Sequence, residues 1–324
     1  MAHELSIRAD GFTEMAFVGQ TPWHGLGQEL QEDASIEQWQ KAAGMDWTIN
    51  SSPVAFGVGE GQILPDLEIF EGQNVLYRSD TKMPLSVVSD RYKPVQPLEV
   101  LEFFRDLVEE NGFKIHTAGT LRGGKRMWAL AETGKYGEVC KGDGVGGFLL
   151  LSTSCDRTLA TTARFTTVRV VCNNTLSMAM ANTANTVSFS HIQKFDHEAV
   201  KAKLALTVDS FGGFMQMAKY LQSQQMNVVA SEAFLKDLLT SVSQIKDPEY
   251  DIRQNRSYQK ILNLFDCEAK GLSLVGHTKW GMLNAVTEYF DHHAPSRSND
   301  ARLDNAWFGT GETIKNKATD LLLV

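Results

Sequence analysis

The chain has 324 residues, 43% hydrophobic and 22% charged, with a formal net charge of −8. That length holds one large domain or two ordinary ones, and the composition is that of a chain that buries a core, which excludes wholesale disorder. The acidic total excludes a generally cationic, histone-like protein.

In chain order, residues 1–30 read as a loop-rich start containing Thr21-Pro22-Trp23-His24-Gly25-Leu26-Gly27. A helix is predicted over 36–44, with Ser35 as N-cap, Gln38 completing a capping box and Gly44 as terminator. Short strands are predicted at Trp47–Ile49, Val54–Val58, Asn74–Arg78 and Pro84–Val88. Pro97 opens the next helix, whose apolar stripe runs through Leu98, Leu101, Phe104 and Leu107 to a stop at Gly112. The hydrophobic period then changes to two. Phe113–Thr120 and Arg126–Glu132 read as a hairpin turned by Gly123-Gly124, and a Gly-rich loop (142–147) leads into the strand Phe148–Cys155. After a turn at Asp156-Arg157 comes a β-branched strand, Thr158–Val171, with Thr158, Thr162, Arg164 and Thr166 on its polar face. A short helix is expected from Asn173 or Asn174 through Met180, a bend over 182–193, and a long helix from Asp196 to about residue 222. Helices are also predicted at 230–245, 255–270, 277–291 and 310–323, with a loop at 292–308. The fold class expected is α+β, an antiparallel meander followed by a helix, with a helical C-terminal region. The divisions expected are 1–112, 113–195 and 196–324.

Charge is unevenly spread. Residues 1–112 carry 7 bases against 19 acids, 113–203 carry 12 against 6, and 204–324 carry 12 against 14. The basic middle attracts a polyanion even on an acidic protein, because charges beyond about 8 Å are screened. Arg122, Lys125 and Arg126 lie at one hairpin, Arg157 at the next turn, and Arg164 and Arg169 on the long strand. Guanidinium groups suit phosphate, and Trp128, on the face of Arg126, suits stacking on a base. The plainer alternative is a set of solvated surface bases paired with acids of the first third.

Other motifs are weaker. Gly142-x-Gly144-x-x-Gly147 matches a dinucleotide fingerprint as a string but runs into a strand instead of a helix. Gly119-x-x-x-x-Gly124-Lys125 has Arg126 where a P-loop needs Ser or Thr. Trp23-His24-Gly25 reads as a core-edge plug or a site, and Asp291-His292-His293 as a helix end or a metal site. Cys140, Cys155, Cys172 and Cys267 are spaced as neither a zinc set nor a disulfide framework, and free thiols are expected. With no signal-peptide pattern and no apolar run of membrane length, the cytoplasm is the expected location.

The segments TPWHGLG (21–27), LSVVSDRYKPVQ (85–96), AGTLRGGKRMWALAE (118–132), LSTSCDRTLATTARFTTVRVVCNNTL (151–176) and AVTEYFDHH (285–293) resemble a family of phage- and plasmid-type proteins built on a domain of unknown function. The likeness runs over nearly the whole chain and is most specific at Cys172–Leu176. That family implies no activity. The element order of the middle segment is similar to the core of single-strand annealing proteins of the recombination-mediator superfamily. What this second likeness implies is a ring-forming homo-oligomer with single-stranded DNA in a basic groove. The expected function is thus non-enzymatic single-stranded DNA binding and annealing in phage or plasmid recombination, without a cofactor. Its site would be Arg122, Lys125, Arg126, Trp128, Arg157, Arg164 and Arg169. Two alternatives stand beside it: a phage interaction protein (host-defence antagonist or assembly component), and a metal-dependent enzyme using His24, His292 or His293.

Overall fold

A computed structural model describes residues 6–8, 10–19, 26–59, 66–169, 174–177, 186–191, 210–241, 244, 250–296 and 299–324. Two antiparallel meanders organise the first two thirds. The smaller is a three-stranded sheet of β3 (Ile49–Val58), β4 (Asp66–Arg78) and β5 (Pro84–Ser89), in that order. The larger has eight strands. Its meander is β6 (Lys114–Leu121), β7 (Arg126–Glu138), β8 (Gly144–Ser154) and β9 (Thr161–Arg169). Beside β6 lie β1 (Met15–Val18) and then β2 (Gln28–Leu30), which runs parallel to β1. On the far edge, β10 (Asn174–Ser177) and β11 (Thr186–Phe189) pair with successive halves of β9. The fold class is α+β, with a helical C-terminal region.

Alternation along the large sheet separates two cores, because successive side chains of a strand point to opposite faces. Met127, Ala129 and Ala131 of β7, Leu149 and Leu151 of β8, and Ala163 and Phe165 of β9 belong to the main core. There they join Val100, Phe103 and Phe104 of α2 (Pro97–Asn111) and Phe214 of α3 (Ser210–Ser223). The intervening residues Trp128, Leu130, Phe148 and Leu150, with Met15 and Leu121, form a second, smaller core. It is closed by Trp307 and Phe308 from α8 (Asn299–Phe308).

The helical third also contains α4 (Val228–Leu239), α5 (Arg256–Asn263), α6 (Leu272–Val275), α7 (Lys279–Glu288) and α9 (Thr310–Leu323). Both α5 and α7 run on into a single wide turn, at Leu264–Glu268 and Tyr289–His293. Their starts are side-chain capped: Asn227, Asn255 and Thr278 each accept a backbone N–H of the first turn. The capping box at Ser35 and Gln38 opens α1 (Ile36–Ala42), as its sequence predicts.

Four expectations are corrected. Residues 174–177, expected in a helix, are strand β10, because pairing to the free edge of β9 overrides a weak cap signal. Residues 299–308, expected in a loop, are α8, held by burial of Ala306 and the contacts of Trp307 and Phe308. Of the Gly-rich loop 142–147, Gly144, Gly146 and Gly147 lie inside β8. There the small residue is needed for packing: a Cβ on Gly144 would collide with the Tyr136 hydroxyl. Strand residues 158–160 were also expected, whereas β9 begins at Thr161; the expected strand residues 170–171 lie outside the described residues. Of the long helix expected from Asp196, the part up to residue 209 lies outside the described residues.

Candidate nucleic-acid interface

The β6–β7 turn (122–125) and the β8–β9 turn (155–160) lie at the same end of the large sheet. The Cys155 amide donates to the Lys125 carbonyl at 2.9 Å, and Arg126 pairs with Ser154. The small sheet abuts this end. The Ser86 hydroxyl donates to the Cys155 carbonyl, and Tyr92 Oη donates to the Ser154 carbonyl at 2.7 Å. Met83 lies so close to Gly123 that a Cβ there would come within 2.7 Å of its methyl carbon. The β4–β5 turn and the 90–93 segment therefore place Lys82, Arg91 and Lys93 at the same end of the molecule as Arg122, Lys125 and Arg157. All except the half-buried Lys125 are exposed.

The backbone at this end is unusual. Among the described residues, the non-glycine residues with positive φ are Lys82 (59°), Arg122 (55°) and Arg157 (66°). Each is basic, and each occupies one of the three apposed turns. A left-handed conformation costs a residue with a Cβ about 1–2 kcal/mol. At Arg122 the turn continues left-handed through Gly123 and Gly124, where a side chain on Gly124 would strike Trp47.

The acids here are engaged within the protein. Asp80 accepts from Arg78 Nε at 3.0 Å and Nη2 at 2.8 Å. Burial alone would raise the Asp80 pKa, but its hydrogen bonds to Arg78 and the Thr81 amide win and hold it at about 2. Asp156 accepts from the Thr158 amide and hydroxyl, and Asp90 from Asn74. Beneath the surface, Arg78 forks onto Glu14 at 2.7 and 3.0 Å, tying the two sheets together with Arg8 and Thr120 on the same carboxylate. Cys155 is buried in this region, and burial followed by the nearby Asp156 charge pushes its thiol up to about 12, so it stays protonated.

The remaining expected site residues take a different position. Trp128 is fully buried, edge-on to Trp307 with ring centroids 5.0 Å apart, and its Nε1 has no hydrogen-bond partner among the described residues. Arg126 is buried, donates to Thr158 Oγ1 at 2.9 Å and lies 5.1 Å from the Phe308 ring centre. Burial, then repulsion from Arg122, lowers its pKa to about 10 against the pull of Asp156. Arg164 lies 5.5 Å from the same ring, pairs with Glu312 of α9 and donates to the Trp307 carbonyl. These three residues thus lie beneath α8 and α9, and their contacts are internal. The Arg169 side chain, Trp23, His24 and Cys172 lie outside the described residues.

Sequence reasoning placed Arg122, Lys125 and Arg157 together from the meander alone. It missed Lys82, Arg91 and Lys93, which sit in a segment whose average is acidic. Their signal was local: they flank β5 on both sides. At the other histidine-rich place, His293 Nε2 lies 3.7 Å from Glu288, and Asp291 receives Lys315 at 2.6 Å. Among the described residues no group of three or more His, Cys, Asp or Glu side chains is disposed to hold a metal. No helix among them is long and apolar enough to cross a membrane.

The family model described as "Domain of unknown function (DUF932)" matches residues 84–307. The chain belongs to the DUF932 family. The matched span begins at β5 and ends at Trp307, so it covers the β6–β9 meander with the turns that carry Arg122 and Arg157, while leaving out the β3–β4 hairpin and the β4–β5 turn with Lys82. Neither the search of curated proteins nor that of solved structures finds a match. The DUF932 assignment carries no activity with it, and function is argued from the site.

Proposed function

We propose that this protein binds single-stranded DNA without catalysis, at the turn end of the large sheet, and promotes annealing. The observation that carries the reading is the convergence of three basic residues in left-handed turns, Lys82, Arg122 and Arg157, on one end of the molecule. Strained backbone retained at a charged surface is a pointer to function. With Arg91, Lys93 and Lys125 these residues put six cations at one end of the molecule, against Asp90 and Asp156 as the acids not already held by arginine. The cations stand on short turns and connecting segments, and among the described residues no helix or ribbon at this end carries them into a duplex groove, which favours a flexible single strand. Arg126, Trp128 and Arg164 serve this reading indirectly, by fixing α8 and α9 against the sheet that carries the turns. The resemblance to phage- and plasmid-type proteins and to annealing proteins extends the proposal to recombination of mobile DNA.

The test is fluorescence anisotropy with a labelled thymidine oligonucleotide of about 30 nucleotides, at 50 and 200 mM salt. Displacement of counterions by several phosphate contacts predicts an affinity that falls by orders of magnitude between the two conditions. Absence of binding at 50 mM salt overturns the proposal.

A further inference from the structure

Beyond the bulge at Pro53/Val54, the β3–β4 hairpin extends as a two-stranded ribbon, because β5 pairs β4 only over Gln73–Tyr77. Isolated ribbons of this kind are marginal in water. This one nevertheless exposes large apolar side chains on both faces: Leu67 is 72% exposed, Ile69 61%, Phe70 55% and Phe56 48%. Leu67 and Ile69 lie on one face and Phe56 and Phe70 on the other, leaving on the order of 200 Å² of apolar surface in solvent on each.

The edge of the ribbon narrows the choice of partner. At its root β3 is closed off by Gln96, whose side-chain carbonyl accepts the Ile49 amide at 2.8 Å and whose amide donates to the Ile49 carbonyl at 3.2 Å. Farther out, β4 is the strand that pairs with β3 among the described residues. The outer stretch Val54-Ala55-Phe56-Gly57-Val58 carries no charge, and no lysine blunts it as edge strands usually require. Pro53, which has no N–H to donate, bounds this stretch on one side.

Its residue sizes read the same in both directions: Val, small, Phe, small, Val. Antiparallel pairing of two such edges about a two-fold axis at Phe56 sets Phe56 against Phe56, Val54 against Val58 and Ala55 against Gly57. Registers shifted by two residues would set Val58 against Ser52 or Val54 against Glu60. The charges agree. Residues 49–77 contain Glu60, Asp66, Glu68 and Glu71 and no base, which disfavours a polyanion. Pairing through β3 also leaves the acidic strand β4 of each copy on the outside of the joined sheet.

We infer that the occupant of this edge is a second copy of the same chain, and that the two small sheets join through β3 into one six-stranded sheet with Phe56 at its centre. A two-fold, self-complementary contact is the commonest form of closed assembly. The inference is independent of nucleic-acid binding, since the β3 edge and the basic turns are separate surfaces.

Cysteine cross-linking tests the register. Directly opposed residues of antiparallel strands have Cα atoms about 4.5–5.5 Å apart, within disulfide range. Under mild oxidation Phe56→Cys is expected to form a covalent dimer with itself. Val54→Cys and Val58→Cys are each expected to do so only when mixed with the other, and the unsubstituted chain serves as the background. Sedimentation velocity gives the second readout. The unsubstituted chain is expected to be dimeric or a multiple of two, and Phe56→Lys, an exposed position that leaves the core intact, is expected to weaken association by about tenfold or more. Equimolar Phe56→Lys and Phe56→Glu are expected to restore it. A monomer at about 50 µM, or a dimer whose cross-links do not follow the 54–58 pairing, overturns the inference. Oligonucleotide binding by Phe56→Lys distinguishes the two proposals, because its retention leaves the nucleic-acid reading standing whatever the assembly result.

Discussion

Replacement of Glu312 by leucine is expected to destabilise the protein in a way that reports directly on how the second core is closed. Glu312 and Arg164 pair with side-chain exposures of 19% and 13%, and Arg164 also donates to the Trp307 carbonyl beside the Phe308 ring. Burial lowers the Arg164 pKa, and Glu312 is the charge that opposes this. Without it the guanidinium remains under α8 with one carbonyl and one ring as compensation. Breaking a buried pair from one side costs about 3–5 kcal/mol. The residual exposure of both partners puts this pair at the low end, about 3 kcal/mol, or roughly 6–12 °C in melting temperature for a cooperative unit of this size. Removing both charges, as Arg164→Met with Glu312→Leu, leaves no unpaired ion and is expected to lie within about 1 kcal/mol of the unsubstituted protein. Thermal and urea denaturation of the two single variants and the double variant give the coupling. A Glu312→Leu variant that melts within about 2 °C of the parent, or a double variant no more stable than the singles, refutes the reasoning. The double variant is also expected to bind oligonucleotide as the parent does, because Arg164 is spent on α9.

Trp128→Phe is expected to be neutral or stabilising in urea denaturation, since it keeps the edge contact to Trp307 and removes a buried N–H that has no partner among the described residues. Ser35→Ala is expected to cost about 1 kcal/mol through loss of the α1 cap, read by the same measurement. His116 has a pKa lowered by burial, against the pull of Glu132. Its unfolded form takes up a proton first as pH falls below the ordinary histidine value, so stability is full above about 6.5 and declines below it. His116→Phe is expected to flatten that slope in melting curves between pH 7 and 5. Asp80, held at about 2, contributes stability that is present above the ordinary aspartate value and lost as pH falls towards 2, and Asp80→Asn is expected to remove that part of the acid transition.

What the sequence made legible follows from where its patterns are strong. The capping box at Ser35, the stripe behind Pro97 and the period-two runs of the meander specify their elements locally, and each appears in the structure within a few residues. Residues 174–177 and 299–308 were misread because tertiary contacts decide them: an open edge of β9 in one case, a sheet face that needs covering in the other. The same cause separates the expected site residues. Alternation puts Trp128 and Arg164 on the polar-looking face of their strands, but nothing in β7 or β9 announces that Trp307, Phe308 and Glu312, over 140 residues later, cover that face. Lys82, Arg91 and Lys93 were hidden in the opposite sense, since the acidic average of residues 1–112 conceals bases that folding carries to the turns. The left-handed backbone at Lys82, Arg122 and Arg157 had no sequence signal, because these positions hold long basic side chains where glycine or asparagine is usual.

The most direct test of the central claim is the salt dependence of oligonucleotide affinity for the unsubstituted chain and for Lys82→Ala/Arg122→Ala/Arg157→Ala, measured by anisotropy over a range of salt concentrations. Each phosphate contact removed lowers the slope of log K against log salt by about 0.7 for a single strand. A slope about two units shallower, with the melting temperature little changed because alanine keeps the Cβ and so the strain of the left-handed turns, is the predicted result. An unchanged slope with intact affinity contradicts the account and moves the binding surface away from this end of the sheet.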